Sequence, residues 1–168
     1  MIDLPNNSIS LAGEFAVLSQ LALRGYNANM TLGNTKSVDI LLADPRTGKM
    51  FKIEVKTHYR NSPEHSALFG HNLGWVMSQK HEGIIDPNLY YVFVNIRNDT
   101  GLFRFFIIPS NIVAKYVKEQ HEYWLSSLEN PMASDTIMRK FRIGLDDNGY
   151  DIETPLAKDF ENAWNLLS

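Results

Sequence analysis

The segment Val38-Asp-Ile-Leu-Leu-Ala-Asp-Pro-Arg-Thr-Gly-Lys-Met-Phe-Lys-Ile-Glu-Val-Lys-Thr57 restricts the fold more than any other part of the chain. Apolar residues recur at every second position in Val38–Ala43 and again in Met50–Thr57, the period of a half-buried strand. Between them, Pro45 and Gly48 stand where a tight turn wants them. Two such strands joined by a short turn pair antiparallel. With the turn centred between Arg46 and Thr47, Asp44 faces Lys49, Leu42 faces Phe51, Ile40 faces Ile53 and Asp39 faces Glu54.

Successive strand side chains point to opposite faces, so this register sorts the hairpin chemically. Val38, Ile40, Leu42, Phe51, Ile53 and Val55 form an apolar face for a core, while Asp39, Glu54 and Lys56 share the other face. Directly opposed residues have Cβ atoms about 4.5–5.5 Å apart. Two carboxylates so placed repel unless positive charge lies between them, and a hard divalent cation such as Mg²⁺ takes one or two protein carboxylates while keeping waters. Lys56, two residues from Glu54, reaches the same space. Asp, Glu and Lys are equally ordinary on a solvated sheet face, so spacing alone leaves both readings open. A one-residue bulge in the turn would shift the opposition.

An acidic residue on one strand, a turn, then Glu-x-Lys on the next resembles the signature of the PD-(D/E)xK nuclease superfamily; here it reads Asp39 … Glu54-Val-Lys56. A preceding helix carrying Gly13-Glu14-Phe15 resembles the N-terminal helix of Holliday-junction-resolvase-like members. The resemblance covers residues 10–57; Val38 stands where the family name implies proline. It implies a restriction-endonuclease-like α/β fold, a central mixed sheet flanked by helices. It further implies Mg²⁺- or Mn²⁺-dependent hydrolysis of phosphodiester bonds, in DNA above other nucleic acids. Its implied site is Glu14, Asp39, Glu54 and the Val55 carbonyl on the metal, with Lys56 as a further catalytic group. The same fold without catalysis, as a nucleic-acid- or protein-binding module, is the alternative, and a homodimer is left open.

The rest of the chain is read more coarsely. Leu11, Phe15, Leu18 and Ala22 predict a helix over 10–25, capped by Ser8 or Ser10 and ended by Gly25. A strand follows at Ala28–Leu32, then a polar loop Gly33–Ser37. Residues 60–88 read as a long loop with one short helix near Trp75–His81. Leu89–Arg97 and Leu102–Ile108 form a second hairpin. A helix at 111–126, a strand near 140–145 and a closing helix at 157–167 complete the order, which is that of an α/β or α+β chain.

Lengths and charges narrow the class further. The 168 residues suit a single domain with a sizeable core, and no repeat or Pro/Gly/Ser linker divides them. No apolar run approaches the roughly 18 residues of a membrane span, and the N-terminus lacks a secretory pattern. The absence of cysteine excludes disulfides, thiolate metal sites and cysteine nucleophiles, and fits the cytoplasm. A net charge of −3 argues against a basic coat but not against a local basic groove, for which Lys49, Lys52, Lys56, His58 and Arg60 are candidates. Gln79 and Lys80 sit where several nuclease branches place a polar helix residue, but a solvated helix face is the favoured reading. His58, His65, His71 and His81 match no zinc spacing and read as surface or DNA-facing. Trp75, Trp124 and Trp164 read as core.

Overall fold

The structure is a computed structural model and describes residues 4–31, 38–147 and 149–168. The expected loop Gly33–Ser37 and the end of the preceding strand at Leu32 lie outside the described residues. The elements are α1 (Asn6–Leu23), β1 (Asn27–Met30), β2 (Ile40–Ala43), β3 (Met50–Tyr59), β4 (Glu64–Ser66), β5 (Gly70–Ser78), β6 (Leu89–Ile96), β7 (Phe103–Pro109), α2 (Ser110–Ser126), α3 (Pro131–Ser134), β8 (Met138–Gly144) and α4 (Ala157–Phe160). Short 3₁₀ segments occupy Gln79–Gly83 and Trp164–Leu166. Among the described residues no helix is long and apolar enough to cross a membrane.

The chain divides into two compact units. The first holds residues 1–61, 87–109 and 161–168, with the sheet β1-β2-β3-β6-β7. β3 and β6 run parallel, and the other neighbours run antiparallel. β2 and β3 pair in the expected register, Ile40 with Ile53 and Leu42 with Phe51. The turn closes as the sequence implies: Asp44 N–H donates to Lys49 O at 2.9 Å, Asp44 Oδ1 accepts Arg46 N–H, and Gly48 takes φ +72°. Ile40, Leu42, Phe51, Ile53 and Val55 all enter the core with Val17, Leu21, Val92, Val94 and Ile107.

Two expectations for α1 are corrected. The helix starts at Asn6, not residue 10, because Pro5 presets the backbone at φ −60° and its carbonyl already accepts the Ser8 and Ile9 N–H groups. Its buried face is Gly13, Val17 and Leu21, while Leu11 and Phe15 are exposed. Gly13 decides this rotation: a Cβ there would stand 2.9 Å from Thr57 Cβ, so only a glycine lets the helix lie this close to β3. The end is as expected. Gly25 adopts φ +81°, Gly25 N–H donates to Ala22 O and Tyr26 N–H to Leu21 O, the paired bonds of a Schellman stop.

The expected closing helix at 157–167 is interrupted. Glu161 bridges to Phe106 and Asn162, at φ +55°, donates its N–H to Phe105 O. Satisfying the edge of β7 outcompetes a continuous helix here, and Trp164 and Leu167 still reach the core.

The second unit holds residues 62–86 and 110–160, with the antiparallel sheet β4-β5-β8 and the helices α2, α3 and α4. The expected long loop 60–88 is therefore corrected to two strands and a 3₁₀ turn. Its polarity misleads because Asn72 is wholly buried, its amide donating to the carbonyls of Phe69 and Gly70. Gly74 supplies no side chain, and a Cβ there would stand 2.5 Å from Lys140 Cε.

Candidate active site

Glu54 and Lys56 alternate with core residues along β3, on the face away from the core. Glu54 is buried, and Lys56 Nζ lies 2.6 Å from its Oε1. A carboxylate withdrawn from water this far persists only with charged or hydrogen-bonding company. Tyr91 supplies more of it. It pairs with Glu54 across the parallel β3–β6 ladder and is fully buried. Burial first, then the negative charge of Glu54, hold the Tyr91 hydroxyl far up in the protonated state.

Asp39 reaches the same strand by another route than direct opposition. The β2–β3 ladder ends at Ile40, and Asp39 instead donates its N–H to Ile53 O at 2.8 Å. Its Oδ2 accepts the Val55 N–H at 2.7 Å. The carboxylate thus takes the place of a main-chain acceptor at the centre of Glu54-Val55-Lys56. On its other side Asp39 O accepts the Thr31 N–H at 2.9 Å, which carries β1 one residue further.

Glu14 is half-buried on α1, next to the Gly13–Thr57 approach. Its pKa is raised, by burial first and by the negative charge of Asp39 second, with Lys56 pulling the other way. Glu14, Asp39 and Lys56 therefore share one electrostatic environment. Lys52 and His58 stand on the Glu54 face of β3 by alternation, and Lys49 and Arg60 are exposed.

The chemistry of this donor set suits a hard cation with retained waters. Asp39 and Glu54 offer carboxylate oxygens from adjoining strands, and such an ion asks for only one or two. Among the described residues no three His, Cys, Asp or Glu side chains are gathered as closely as an all-protein metal cage requires.

The remaining candidates separate. Gln79 and Lys80 are exposed on the 3₁₀ turn of the second unit. His81 is corrected from surface to buried; its Nδ1 sits 3.1 Å from Ser78 Oγ. Trp75 and Trp164 are core, whereas Trp124 is half-buried. Tyr91 was not legible as a site residue. It lies in the apolar run Leu89–Val94, and only the non-local parallel pairing puts it beside Glu54.

No family model and no curated protein matches the chain. Among solved structures it is similar to the bacterial homing endonuclease I-Ssp6803I, at 14% identity and TM-score 0.52, over 97% of this chain and 91% of that one. It is also similar to Hjc of Archaeoglobus fulgidus, a Holliday junction resolvase from an archaeal hyperthermophile, at 18% identity and TM-score 0.40, over 89% and 93% of the two chains. The likeness to the homing endonuclease spans nearly all of both chains and shows the fold: a mixed α/β, restriction-endonuclease-like architecture, as the sequence resemblance implied.

Proposed function

We propose that the chain is a divalent-metal-dependent nuclease hydrolysing phosphodiester bonds, with DNA as its substrate. The observation that carries this reading is the Val55 N–H to Asp39 Oδ2 bond at 2.7 Å. It fixes one carboxylate on the strand position between a second, buried carboxylate and a lysine. A hairpin built for stability alone has no need to bury Glu54. The homing endonuclease that shares the fold supports the reaction class.

Mg²⁺ or Mn²⁺ held by Asp39 and Glu54, with Glu14 and the Val55 carbonyl completing the set, would supply a water of lowered pKa and positive charge at the phosphate. Hydrolysis forms a bond from the water oxygen to phosphorus, breaks the bond to the sugar oxygen and delivers a proton to that leaving oxygen. Lys56 brings a cation to the charge that builds on the phosphoryl oxygens. Tyr91, beside Glu54 on the neighbouring strand, helps to confine the glutamate side chain. Lys52, His58 and Arg60 give the polyanion a local basic surface on a chain of net charge −3, an attraction that fades as salt rises.

The non-catalytic module remains a second reading because no three ligating side chains are gathered among the described residues. A cleavage assay separates the two. Wild type and Lys56→Ala are incubated at low salt with supercoiled, linear, branched and single-stranded DNA and with RNA, with Mg²⁺, Mn²⁺ or EDTA. Nicking that needs the metal and is lost in folded Lys56→Ala supports the nuclease. Equal trace activity in both proteins on every substrate favours the binding module.

A further inference from the structure

The turn between β4 and β5 sets two histidines side by side. The strands pair antiparallel, with Ser66 opposite Gly70 and His65 directly opposite His71. The register is held at the turn, where Gly70 takes φ +57° and the buried Asn72 amide donates to the carbonyls of Phe69 and Gly70. Directly opposed residues share a face and have Cβ atoms about 4.5–5.5 Å apart, so both imidazoles project from one side of the hairpin. His65 is exposed, and the His71 side chain is 40% exposed. Glu64 belongs by alternation to the other face, where Lys140 engages it.

A carboxylate is held against this pair. Leu145 N–H and the Tyr150 hydroxyl both donate to His71 O, at 3.0 and 2.8 Å, and the same hydroxyl accepts the Asp146 N–H at 3.1 Å. Tyr150 lies there because two glycines make room: a Cβ would stand 2.9 Å from its ring at Gly70 and 2.6 Å at Gly144. Asp146 Oδ2 is thereby brought 3.5 Å from His71 Nδ1. A carboxylate on that side favours the ring proton on Nδ1 and leaves Nε2 with a free lone pair, the arrangement that prepares an imidazole to ligate a metal. The other three of the chain's five histidines are placed differently. His81 and His121 are buried against Ser78 and Asp135, and His58 stands on β3 in the first unit.

We propose that His65 and His71 form an open site for a borderline divalent cation, Zn²⁺ above others, with Asp146 orienting His71 and water filling the remaining positions. Every residue of the site lies in the second unit. The ion takes two protein ligands, with the carboxylate one step behind, so the site asks for no three-ligand cage. A phosphate fits less well, because Asp146 would repel it. Imidazole suits Zn²⁺, Cu²⁺ and Ni²⁺, whereas Mn²⁺ stands at the weak end of that series. The site therefore differs in metal preference from the oxygen donors of β2 and β3, and it does not rest on the nuclease reading. An ion bound here clips β4 to β5.

Calorimetric titration of Zn²⁺ into the metal-free full chain at neutral pH tests this. Wild type should bind one equivalent through the histidines, and so should Asp39→Asn, which lacks a carboxylate of the β2–β3 hairpin. His65→Ala and His71→Ala should each weaken that binding about tenfold or more, equivalent to about 1.4 kcal/mol. Asp146→Asn should weaken it about tenfold by releasing the His71 ring. With Cu²⁺ in place of Zn²⁺, electron paramagnetic resonance should show coupling to two nitrogens in wild type and to one in either histidine variant. His65 is exposed, so His65→Ala keeps the fold and the test stays decisive if His71→Ala does not fold. No binding in wild type, unchanged affinity in His65→Ala, or binding lost in Asp39→Asn but kept in both histidine variants would each overturn the proposal. Unchanged affinity in Asp146→Asn would overturn the role given to that carboxylate.

Discussion

Lys56 Nζ stands 2.6 Å from Glu54 Oε1, and the glutamate side chain is 3% exposed. The lysine is therefore the counter-ion of a buried carboxylate before it is anything else, so its removal must be felt in stability as well as in turnover. Separating those effects is the main experimental demand that the site makes.

Replacing Lys56 with methionine keeps the aliphatic stem and deletes the charge. Glu54 is then left buried without its cation, and unfolding in urea should show a loss of about 1–3 kcal/mol at neutral pH. That range is below the cost of breaking a fully buried pair because Lys56 is partly exposed. The loss should shrink in acid, where Glu54 can be protonated. A variant as stable as wild type at every pH would mean that Tyr91 and other neighbours suffice to hold Glu54.

Gly13→Ala tests how α1 is seated. The new Cβ would meet the Thr57 side chain, 2.9 Å from both its Cβ and Cγ2. The helix must then lift from β3, at a cost of about 1–3 kcal/mol. Thr57→Ala removes Oγ1 and Cγ2, so the double variant should recover part of the loss in a double-mutant cycle. Purely additive changes would show that the helix is not limited by this contact.

Acid titration should expose the hairpin turn. The Arg46 guanidinium beside Asp44 holds its carboxyl down at about 2, below the usual carboxylate range, chiefly through hydrogen bonding. A depressed folded-state pKa means stability that is present above the unfolded value near pH 4 and is lost as pH falls toward about 2. Thermal melts across that window should lose slope in Asp44→Asn and in Arg46→Ala. Identical pH profiles would remove the ion pair from the account.

Glu14 carries the opposite sign. Burial and the charge of Asp39 raise its pKa, so its neutral form is favoured by folding. That contribution is complete below the unfolded pKa and is lost as pH rises through the folded one. Glu14→Gln should therefore melt higher than wild type at pH 7, with the gain disappearing in acid, while divalent-metal affinity falls. Destabilisation at pH 7 would show that Glu14 is held by contacts its charge does not oppose.

The hairpin was legible because alternation and a Pro/Gly turn determine register locally: Ile40–Ile53 and Leu42–Phe51 pair as read. What happens at Asp39 was not, since the end of the ladder depends on Thr31 arriving from β1. The apolar positions Leu11 and Phe15 pointed to the wrong face of α1, where a missing side chain at Gly13 outweighed two large ones. β5 was hidden by buried Asn72 and by Gly74, and Tyr91 by a parallel pairing between strands separated by residues 60–88. Each failure has one origin. Local patterns do not report which distant strand will sit alongside.

Calorimetric titration of Mn²⁺ into the folded protein at neutral pH tests the central claim, that Asp39 and Glu54 together hold a divalent cation, most directly. A site with few protein carboxylates and retained waters predicts weak binding, with Kd about millimolar, that disappears in Asp39→Asn and in Glu54→Gln while both variants keep the wild-type circular dichroism. Undiminished binding in both variants, or no binding in the wild type, would contradict it.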